Sequence, residues 1–280
     1  MLIENKVYDE ERALYHLQNA EVKNCVFAGA ADGESVLKEC RNIRVVACRF
    51  ALRYPLWHAR EFSVETSQME ETSRAPLWYC RGGKLTNTEI LGIKCLRECR
   101  DITINNCRIH SSEFGWRCRG LQSRHCQIES EYFLFESSNI EIQDLNLCGK
   151  YSFQYTKNVI IENAVLDTKD AFWHSKNVTV KNSTIKGEYL GWYSEGLTLE
   201  NCRIIGTQPL CYCKKLRLLH CTMEQTDLAF EYSEVKAQIN GEILSIKNPK
   251  SGFIQADRIG TIVKEDSLVR SRCKITQRKK

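Results

Sequence analysis

The sequence predicts an all-β fold, a parallel β-solenoid built from roughly twelve stacked coils. Three observations predict it: a nineteen-residue repeat, apolar residues that alternate with polar ones, and Asn or Gly at fixed places in each repeat. Repeats this regular indicate stacked units that each contact their neighbours along the chain. The central residues of eight successive repeats lie nineteen residues apart at Cys107, Cys126, Leu145, Ala164, Ser183, Cys202, Cys221 and Asn240.

The strands are predicted by the alternation. Apolar residues recur five and three residues before each centre and two residues after it, as Val178, Val180 and Ile185 do around Ser183. This period of two is typical of short strands with one face inward, and no helix-spaced apolar stripe interrupts it. Coils stacked at the usual strand spacing of about 4.8 Å would form a rod about 55 Å long.

The corners of the coils are predicted by Asn and Gly, which tolerate the left-handed backbone of sharp bends. Asn stands one residue before many centres, and Asn or Gly stands six residues before them, as Asn177 and Gly196 do. Two intervals between repeats are longer than nineteen residues. They predict loops near residues 28–34 and 70–74.

The two ends depart from the repeat. We predict a short helix over residues 10–17, capped by Asp9, that covers the first coil. After Asn240 the spacing fails, and we predict irregular strands that fold back over residues 243–262 and a disordered basic tail at 270–280. The predicted organisation is one domain over residues 1–280, with a cap at 1–20, coils at 21–242, and a cap and tail at 243–280.

Composition bounds the function only loosely. The net charge of +5 is mild, and the fifteen cysteines are an odd number without an export signal, which predicts reduced thiols packed as small apolar residues in a cytosolic protein. No apolar run approaches the roughly 20 residues that a membrane span needs. Motifs for phosphates, dinucleotides or catalytic zinc are absent, and the cysteines lack matched histidines, so we predict no cofactor and no metal.

Residues at the same position in successive repeats form a column in a solenoid. The first informative column is rich in aromatic side chains, and alternation favours burying it in the core beside a column of Cys and Ser. The alternative is a surface platform on which sugars stack, and the polar interruptions Arg97 and Gln154 keep this alternative open. The aromatic members are Trp57, Trp78, Trp116, Phe135, Trp173, Trp192 and Phe230.

The second column, called the polar column below, is predicted to face outward. It comprises His58, Tyr79, Glu98, Arg117, Glu136, Tyr155, His174, Tyr193, Tyr212 and Glu231. A basic stripe follows it two residues later, at Arg60, Arg81, Arg100, Arg119, Lys157, Lys176 and Lys214. Such a surface suits an anionic or hydroxyl-rich chain. We therefore predict ligand contacts at His58, Tyr79, Arg117, Tyr155, Tyr193 and Tyr212, with Trp57 and Trp78 beside them.

Two sets of acids are candidates for catalysis. Glu98 and Glu136 lie two coils apart, about 9.6 Å by strand spacing, near the upper limit for the carboxyl pair of an inverting glycosidase. Arg117 lies between them, so a Glu–Arg–Glu surface ladder is the alternative interpretation. The second set is Asp170 with His174, next to Asp167. These residues could equally be a corner acid bonded to backbone and a solvated histidine.

The coil pattern resembles the right-handed parallel β-helix of the pectin-lyase-like superfamily. The whole chain resembles a bacterial family of uncharacterised proteins with that fold. This resemblance is carried by Ala51-Leu-Arg-Tyr-Pro-Leu-Trp-His58, Ser112-Glu-Phe-Gly-Trp-Arg-Cys118 and Ile246-Lys-Asn-Pro-Lys-Ser-Gly252. It implies the fold and assigns no activity. The acids here match neither the lyase nor the glycosidase pattern of the superfamily, so no catalytic role is transferred.

The leading hypothesis is a protein that binds a carbohydrate or another anionic, hydroxyl-rich ligand along the polar column. Its enzymatic form is a glycoside hydrolase or polysaccharide lyase, with Glu98, Glu136, Asp170 and His174 as the candidate catalytic residues. The alternative is a non-catalytic scaffold or protein-interaction solenoid. Nucleic acid is disfavoured as a partner because acidic residues are interleaved with the basic stripe.

Overall fold

The computed structural model describes residues 1–29 and 33–278, and within these ranges it contains strands and turns but no α-helix. The predicted right-handed parallel β-helix is confirmed, with about 14 turns instead of twelve. Two compact units are present, Met1–Asn146 and Leu147–Lys280. The single-domain organisation stays a prediction. None of the described segments forms a helix with the length and apolar character to cross a membrane.

The first unit consists of paired strands, in which a strand of up to six residues is followed after a bend by a shorter one. These strands are β1 (Leu2–Glu4), β2 (Val7–Tyr8), β3 (Gln18–Lys23), β4 (Val26–Phe27), β5 (Arg41–Val46), β6 (Arg49–Phe50), β7 (Arg60–Glu65), β8 (Gln68–Met69), β9 (Arg81–Thr86), β10 (Glu89–Ile90), β11 (Arg100–Asn105), β12 (Arg108–His110) and β13 (Arg119–Glu131). In β13 the two strands of a coil are continuous. Strand β14 (Ser138–Lys150) runs from the first unit into the second.

The second unit repeats this plan and ends in longer strands. They are β15 (Lys157–Glu162), β16 (Val165–Lys169), β17 (Lys176–Lys181), β18 (Thr184–Lys186), β19 (Glu195–Glu200), β20 (Arg203–Ile205), β21 (Leu216–Glu224), β22 (Glu234–Lys247), β23 (Ser251–Val263) and β24 (Arg272–Gln277).

The register of the strands confirms the repeat. Strands pair in parallel with equivalent residues opposite each other, such as Ile102 with Leu121 and Val159 with Val178. The inward positions form continuous buried columns, because each of these side chains covers its counterpart in the next coil. Phenylalanines stack in the same way, with ring centroids 4.8 Å apart for Phe27–Phe50.

The third side of each coil is not a strand. Every second residue there has a positive φ, as at Glu113, Gly115 and Arg117, with φ of 58°, 75° and 54°. Backbone hydrogen bonds from these residues run alternately to the next and the previous coil: Arg117 N–H donates to Phe135, and Gly115 N–H donates to Cys95. Side chains on this side therefore do not alternate singly between core and solvent. The polar column lies on this third side.

The predicted N-terminal helix is wrong. Residues 11–16 form turns, and Arg12, Leu14 and His16 each have φ of 56°, which no α-helix accommodates. The segment is the third side of a coil, tied to the next one by the bond from Leu37 N–H to the Ala13 carbonyl oxygen. Strands β1 and β2 add a coil before residue 21, which is one reason that the coil count exceeds the prediction.

The C-terminal prediction is also wrong. Strands β22, β23 and β24 do not fold back: they continue the parallel stack, and residues 272–277 of the predicted disordered tail form β24. The spacing of nineteen fails here because β23 residues lie only seventeen after their β22 partners, as Ser251 does after Glu234, and sixteen after them beyond a register shift between Ile239 and Glu242. A bulge of this kind changes the repeat length without ending the sheet.

The predicted corners are confirmed and one predicted loop is compact. Asn106 has φ of 51° and donates from Nδ2 to Asn87 Oδ1 at 2.6 Å. The segment 70–74 is a tight turn in which Ser73 N–H donates to the Glu70 carbonyl oxygen. Of the other loop, residues 30–32 lie outside the described residues.

Candidate functional site

The polar column lies on the surface of both units. Seven of its members are exposed, and Tyr79, Tyr212 and Glu231 are half-buried. In each of the first nine residues the backbone is left-handed, with φ between 54° and 62°. This conformation belongs to the third side of the coil and is what turns the side chains outward.

The aromatic column is half-buried at the surface, so the favoured expectation of a core position is wrong. Trp57, Trp78, Trp116, Trp173 and Trp192 are each partly exposed, although Gln154, Cys211 and Phe230 in the same column are buried. Single alternation fails on the third side because two consecutive residues point inward and the next two point outward. Leu77, immediately before Trp78, is the buried residue.

The tryptophan rings are nevertheless a poor platform for sugars. Trp57 and Trp78 stack face to face, with centroids 5.0 Å apart and planes 6° apart. Their indole N–H groups donate to the carbonyl oxygens of Ala75 and Lys94. Since the faces of the rings cover one another, a ligand meets mainly their edges.

Arg97 continues this stack instead of interrupting it. Its guanidinium carbon lies 4.5 Å from the centroid of Trp78 and 4.9 Å from that of Trp116. Its Nη2 also donates to Glu113 Oε2 at 3.1 Å. A planar cation can occupy the place of an aromatic ring between two others.

In the first unit one polar-column ring, Tyr79, packs against the tryptophans, and a second, His58, packs against Tyr79. His58 and Tyr79 stack at 4.8 Å, and Tyr79 meets both Trp57 and Trp78 edge-on at 6.0 Å. This cluster fixes the positions of the phenol and the imidazole. Their polar atoms are presented at the surface beside the basic stripe.

Of the two glutamates, Arg117 pairs only with Glu136 and has no ion pair with Glu98 within 4.0 Å. Arg117 Nε donates to Glu136 Oε2 at 2.7 Å, and this bond raises the pKa of Arg117, with a smaller contribution from Glu98. An arginine in this place occupies the room in which a glycosidase would hold water and substrate. Only the Arg117–Glu136 half of the alternative Glu–Arg–Glu ladder is formed, and the catalytic role of the two glutamates stays a prediction.

The most unusual feature of the first unit is a row of stacked arginines. Each arginine is the direct strand partner of the next, about 4.8 Å apart, and all are exposed. We call this row the arginine ladder, and it comprises Arg41, Arg60, Arg81, Arg100 and Arg119. Arg41 contacts Glu61 at 3.7 Å. Within the described residues, the other four have no carboxylate within 4.0 Å.

Such a row is unfavourable on its own, because like charges directly opposite each other on neighbouring strands destabilise a sheet. The spacing of its members was visible in the sequence, since four of them were part of the predicted basic stripe. The lack of acidic partners was not visible in the sequence, because it depends on the positions of the side chains.

A shallow groove of about 800 Å³ runs along the strand face next to the arginine ladder. Its walls include Glu61 and Gly82, which directly follow ladder arginines in the chain, and Arg44 and Lys84 opposite them. Gly82 leaves this wall low, and Gly83, next to it, is buried. Gly83 has no room for a larger residue, because a Cβ there would lie 2.3 Å from the ring of Phe62.

In the second unit the polar column is a ladder of stacked rings. Tyr155, His174, Tyr193 and Tyr212 stack in sequence, with centroids 4.9, 5.0 and 4.8 Å apart. Burial, and to a smaller extent the negative charge of Glu231, raises the pKa of Tyr212 to about 12. The Tyr212 hydroxyl donates a hydrogen bond to Glu231 at 3.3 Å. As in the tryptophan stack, the ring faces are occupied and the edges are exposed.

The basic stripe beside these rings is partly neutralised. Glu195 stands between Lys176 and Lys214 in the register and accepts a hydrogen bond from Lys215 Nζ at 3.1 Å. The Lys215 bond, with Lys176 and Lys214 nearby, holds the pKa of Glu195 below its ordinary value. This stripe is thus less uniformly cationic than the arginine ladder of the first unit.

The remaining candidate acids, Asp167 and Asp170, lie in different environments. Asp167 forms an ion pair with Lys186 at 2.8 Å on the surface. Asp170 is almost completely buried, and desolvation raises its pKa, while its backbone carbonyl accepts a bond from Gln154 Nε2. His174, four residues further on, is exposed and stacked between two tyrosines. No direct contact between Asp170 and His174 is present.

Most cysteines behave as core residues. Cys99 and Cys118 are buried, and burial raises the pKa of both thiols. Cys99 Sγ donates to the Leu77 carbonyl oxygen at 2.8 Å. Among the described residues, no three His, Cys, Asp or Glu side chains are arranged to hold a metal ion.

The coils, corners and inward columns define the class of protein as a right-handed parallel β-helix. More narrowly, the chain belongs to a family described as protein of unknown function (DUF3737), whose model matches residues 1–276. A comparison with curated proteins finds no match.

Several solved structures are distantly similar. The periplasmic alginate epimerase AlgG, in a double mutant, is 9% identical, with 93% of this chain and 77% of that chain covered and a TM-score of 0.39. The A-module of the mannuronan C-5 epimerase AlgE4 from Azotobacter vinelandii is 11% identical, with 98% and 89% covered and a TM-score of 0.30. The catalytic domain of a GH87 α-1,3-glucanase is 10% identical, with 99% and 63% covered and a TM-score of 0.27. Similarities at this level assign no activity to the chain.

Proposed function

We propose that the protein binds a linear, anionic and hydroxyl-rich ligand, of the carbohydrate class, along the arginine ladder of its first unit. The observation that carries this proposal is the row of stacked, exposed arginines, four of which have no carboxylate within 4.0 Å in the described residues. A ligand with regularly spaced carboxylate, sulfate or phosphate groups would relieve their mutual repulsion. Arginine suits this task because its planar fork binds such groups with two hydrogen bonds.

The hydroxyl-rich character of the ligand is supported by the groups that flank the ladder. Tyr79 and His58 offer a phenol and an imidazole on one side, and Glu61 and Asp101 place acceptors next to the arginines on the other. Because these carboxylates stand beside the arginines, they would repel a ligand that carries an anionic group at every point of contact. Alternating hydroxyl and anionic groups, as in an acidic polysaccharide, fit both kinds of neighbour.

Binding is proposed without a reaction. Glu136 is held by Arg117, and Asp170 is shielded from solvent, so neither is presented to a ligand as a free acid or base. This observation also favours the second candidate function, a non-catalytic interaction solenoid that docks an acidic protein segment. The two candidates share the arginine ladder and differ in the chemistry of the partner.

A glycan array that contains neutral and acidic glycans, probed beside acidic peptides, tests the proposal. We expect binding to acidic glycans that falls at least tenfold in the double variant Arg81→Gln/Arg100→Gln, and falls less in Tyr79→Phe. The matched control is Arg108→Gln/Arg124→Gln, which removes two exposed arginines away from the ladder. Binding to acidic peptides alone would support the scaffold candidate. Absence of binding to both classes would contradict the arginine ladder as a binding site.

A further inference from the structure

A second cationic site lies in the other unit, on the outward face of its last strands. A hollow of about 410 Å³ is bounded by Lys215, Glu234 and Ser251 on one side and by Arg217 and Lys236 on the other. The buried side chains of Leu216 and Val235 point away from it, so their backbone forms the floor. This volume is within the range of small-molecule sites.

The floor of this hollow requires glycine. Gly252 has φ of 107°, and a Cβ added there would lie 1.9 Å from the Val235 carbonyl oxygen. No other residue can occupy this position without moving the backbone. The floor of the hollow is therefore a consequence of the strand geometry at β22 and β23.

The charge of the hollow is not balanced by the protein. Arg217 and Lys236 are direct strand partners, and neither has a carboxylate within 4.0 Å among residues 1–29 and 33–278. Glu234 on the rim is engaged by Lys250 at 2.7 Å, and Lys215 is engaged by Glu195 at 3.1 Å. The two stacked cations thus face an open space whose lining carboxylate, Glu234, is already paired with Lys250.

Two further groups adjoin these cations. The Ser251 hydroxyl lines the hollow and makes no hydrogen bond within the described residues. Phe253 is 37% exposed and is the strand partner of Lys236 on one side and of Lys274 on the other. A free hydroxyl beside two cations suits an oxyanion, and an exposed ring beside them suits a flat apolar group.

From this combination we propose that the hollow binds an organic phosphate that carries an aromatic ring, which is the chemistry of a nucleotide. Arg217, Lys236 and Ser251 contact the phosphate, and Phe253 stacks against the ring. Base–aromatic stacking and phosphate–cation contacts together form the usual basis for binding a nucleotide unit without reading its sequence. The site is independent of the arginine ladder, which lies in the other unit.

Isothermal titration calorimetry with adenosine monophosphate, adenosine and inorganic phosphate tests this inference. We expect the monophosphate to bind more tightly than either part alone. The variant Arg217→Gln/Lys236→Gln should lower the affinity for the monophosphate at least tenfold. Phe253→Ser should lower the affinity for the monophosphate to that for inorganic phosphate. Arg81→Gln/Arg100→Gln should leave it unchanged, which separates this site from the proposed function.

The matched control is Lys264→Gln/Arg270→Gln, which removes two exposed charges from the segment beside Tyr232. The proposal is overturned if this control weakens binding as much as the Arg217/Lys236 variant does, or if no saturable binding of the monophosphate occurs. Equal affinities for the monophosphate and inorganic phosphate would also overturn it, because Phe253 would then contribute nothing.

Discussion

At the scale of single residues, many side chains of the surface columns are in contact with one another. Trp57 and Trp78 cover each other's faces, Arg97 fills the next place in the stack, and Arg117 holds Glu136. Groups that looked available in the sequence are therefore partly engaged within the protein. Four of the five ladder arginines stand out because no carboxylate lies within 4.0 Å of them in the described residues.

Asp170 gives a prediction with a defined pH dependence. Desolvation raises its pKa in the folded protein above the ordinary value of 3.8, only partly offset by Lys169. The folded state thus binds this proton more tightly than the unfolded state, so the contribution of Asp170 to stability is highest in acid and is lost as the pH rises through the folded pKa. Asp170→Asn should therefore raise the melting temperature by a few degrees at pH 7.

Thermal unfolding by circular dichroism across the pH range is the measurement. The difference between Asp170→Asn and the parent should shrink as the pH falls and Asp170 becomes protonated. The control is Asp167→Asn, which removes an exposed carboxylate paired with Lys186 and should not stabilise the protein at pH 7. A destabilised Asp170→Asn at pH 7 would show that the carboxylate has a favourable role in the fold.

At the scale of the structural element, the third side of the coil determines where the functional groups point. Its alternating left-handed residues turn pairs of side chains outward, so Trp78 and Tyr79 are both at the surface although they are adjacent in the chain. The tryptophan–arginine stack and the asparagine corners are the elements that tie one coil to the next outside the sheet.

Arg97 allows the stack to be tested. Replacing it with Ala removes a cation held between two indoles and should lower the free energy of unfolding by about 1–2 kcal/mol. Lys should restore only part of this, because it lacks the planar group that stacks on both rings. Urea unfolding followed by tryptophan fluorescence measures both. An unchanged midpoint in Arg97→Ala would contradict a stabilising role for the stack.

Asn106 separates the two tasks of a corner residue. Both Asn106→Ala and Asn106→Gly remove the bond to Asn87, but only glycine adopts a φ of 51° without strain. We expect Ala to cost about 1–2 kcal/mol more than Gly, the usual penalty for a left-handed residue with a Cβ. Equal losses in urea unfolding would show that the hydrogen bond alone matters.

The sequence was sufficient for the parts of the fold that follow alternation and spacing. Inward columns such as Val178 and Val180, and corners such as Asn106, were predicted because each depends on local residue type. The third side was not, because left-handed residues there include Leu56 and Phe172, whose types do not reveal their backbone conformation. The C-terminal coils were missed since partners in β22 and β23 lie seventeen and then sixteen residues apart, which conceals the nineteen-residue repeat.

The candidate site was predicted in part for the same reason. The outward position of the polar column followed from the repeat, and the stripe of arginines was visible at equal spacing. Which of these charges are satisfied within the protein depends on side-chain geometry. Arg117 finds Glu136, but no acid approaches Arg81 or Arg100 in the described residues.

At the scale of the whole molecule, a solenoid converts a sequence repeat into a spatial repeat of charge. The arginine ladder extends over four strand spacings, about 19 Å. A linear ligand with regularly spaced anions can therefore be matched by several coils at once. This repetition, more than any single residue, is the basis on which we propose a function.

The most direct test is the affinity of the protein for an acidic oligosaccharide series of increasing length. The account predicts that affinity rises with each added unit until the ligand spans about 19 Å, then reaches a plateau. Arg81→Gln/Arg100→Gln should flatten the rise, and Arg108→Gln/Arg124→Gln should not. An affinity that is independent of ligand length, or unaffected by the ladder variant, would contradict the central claim.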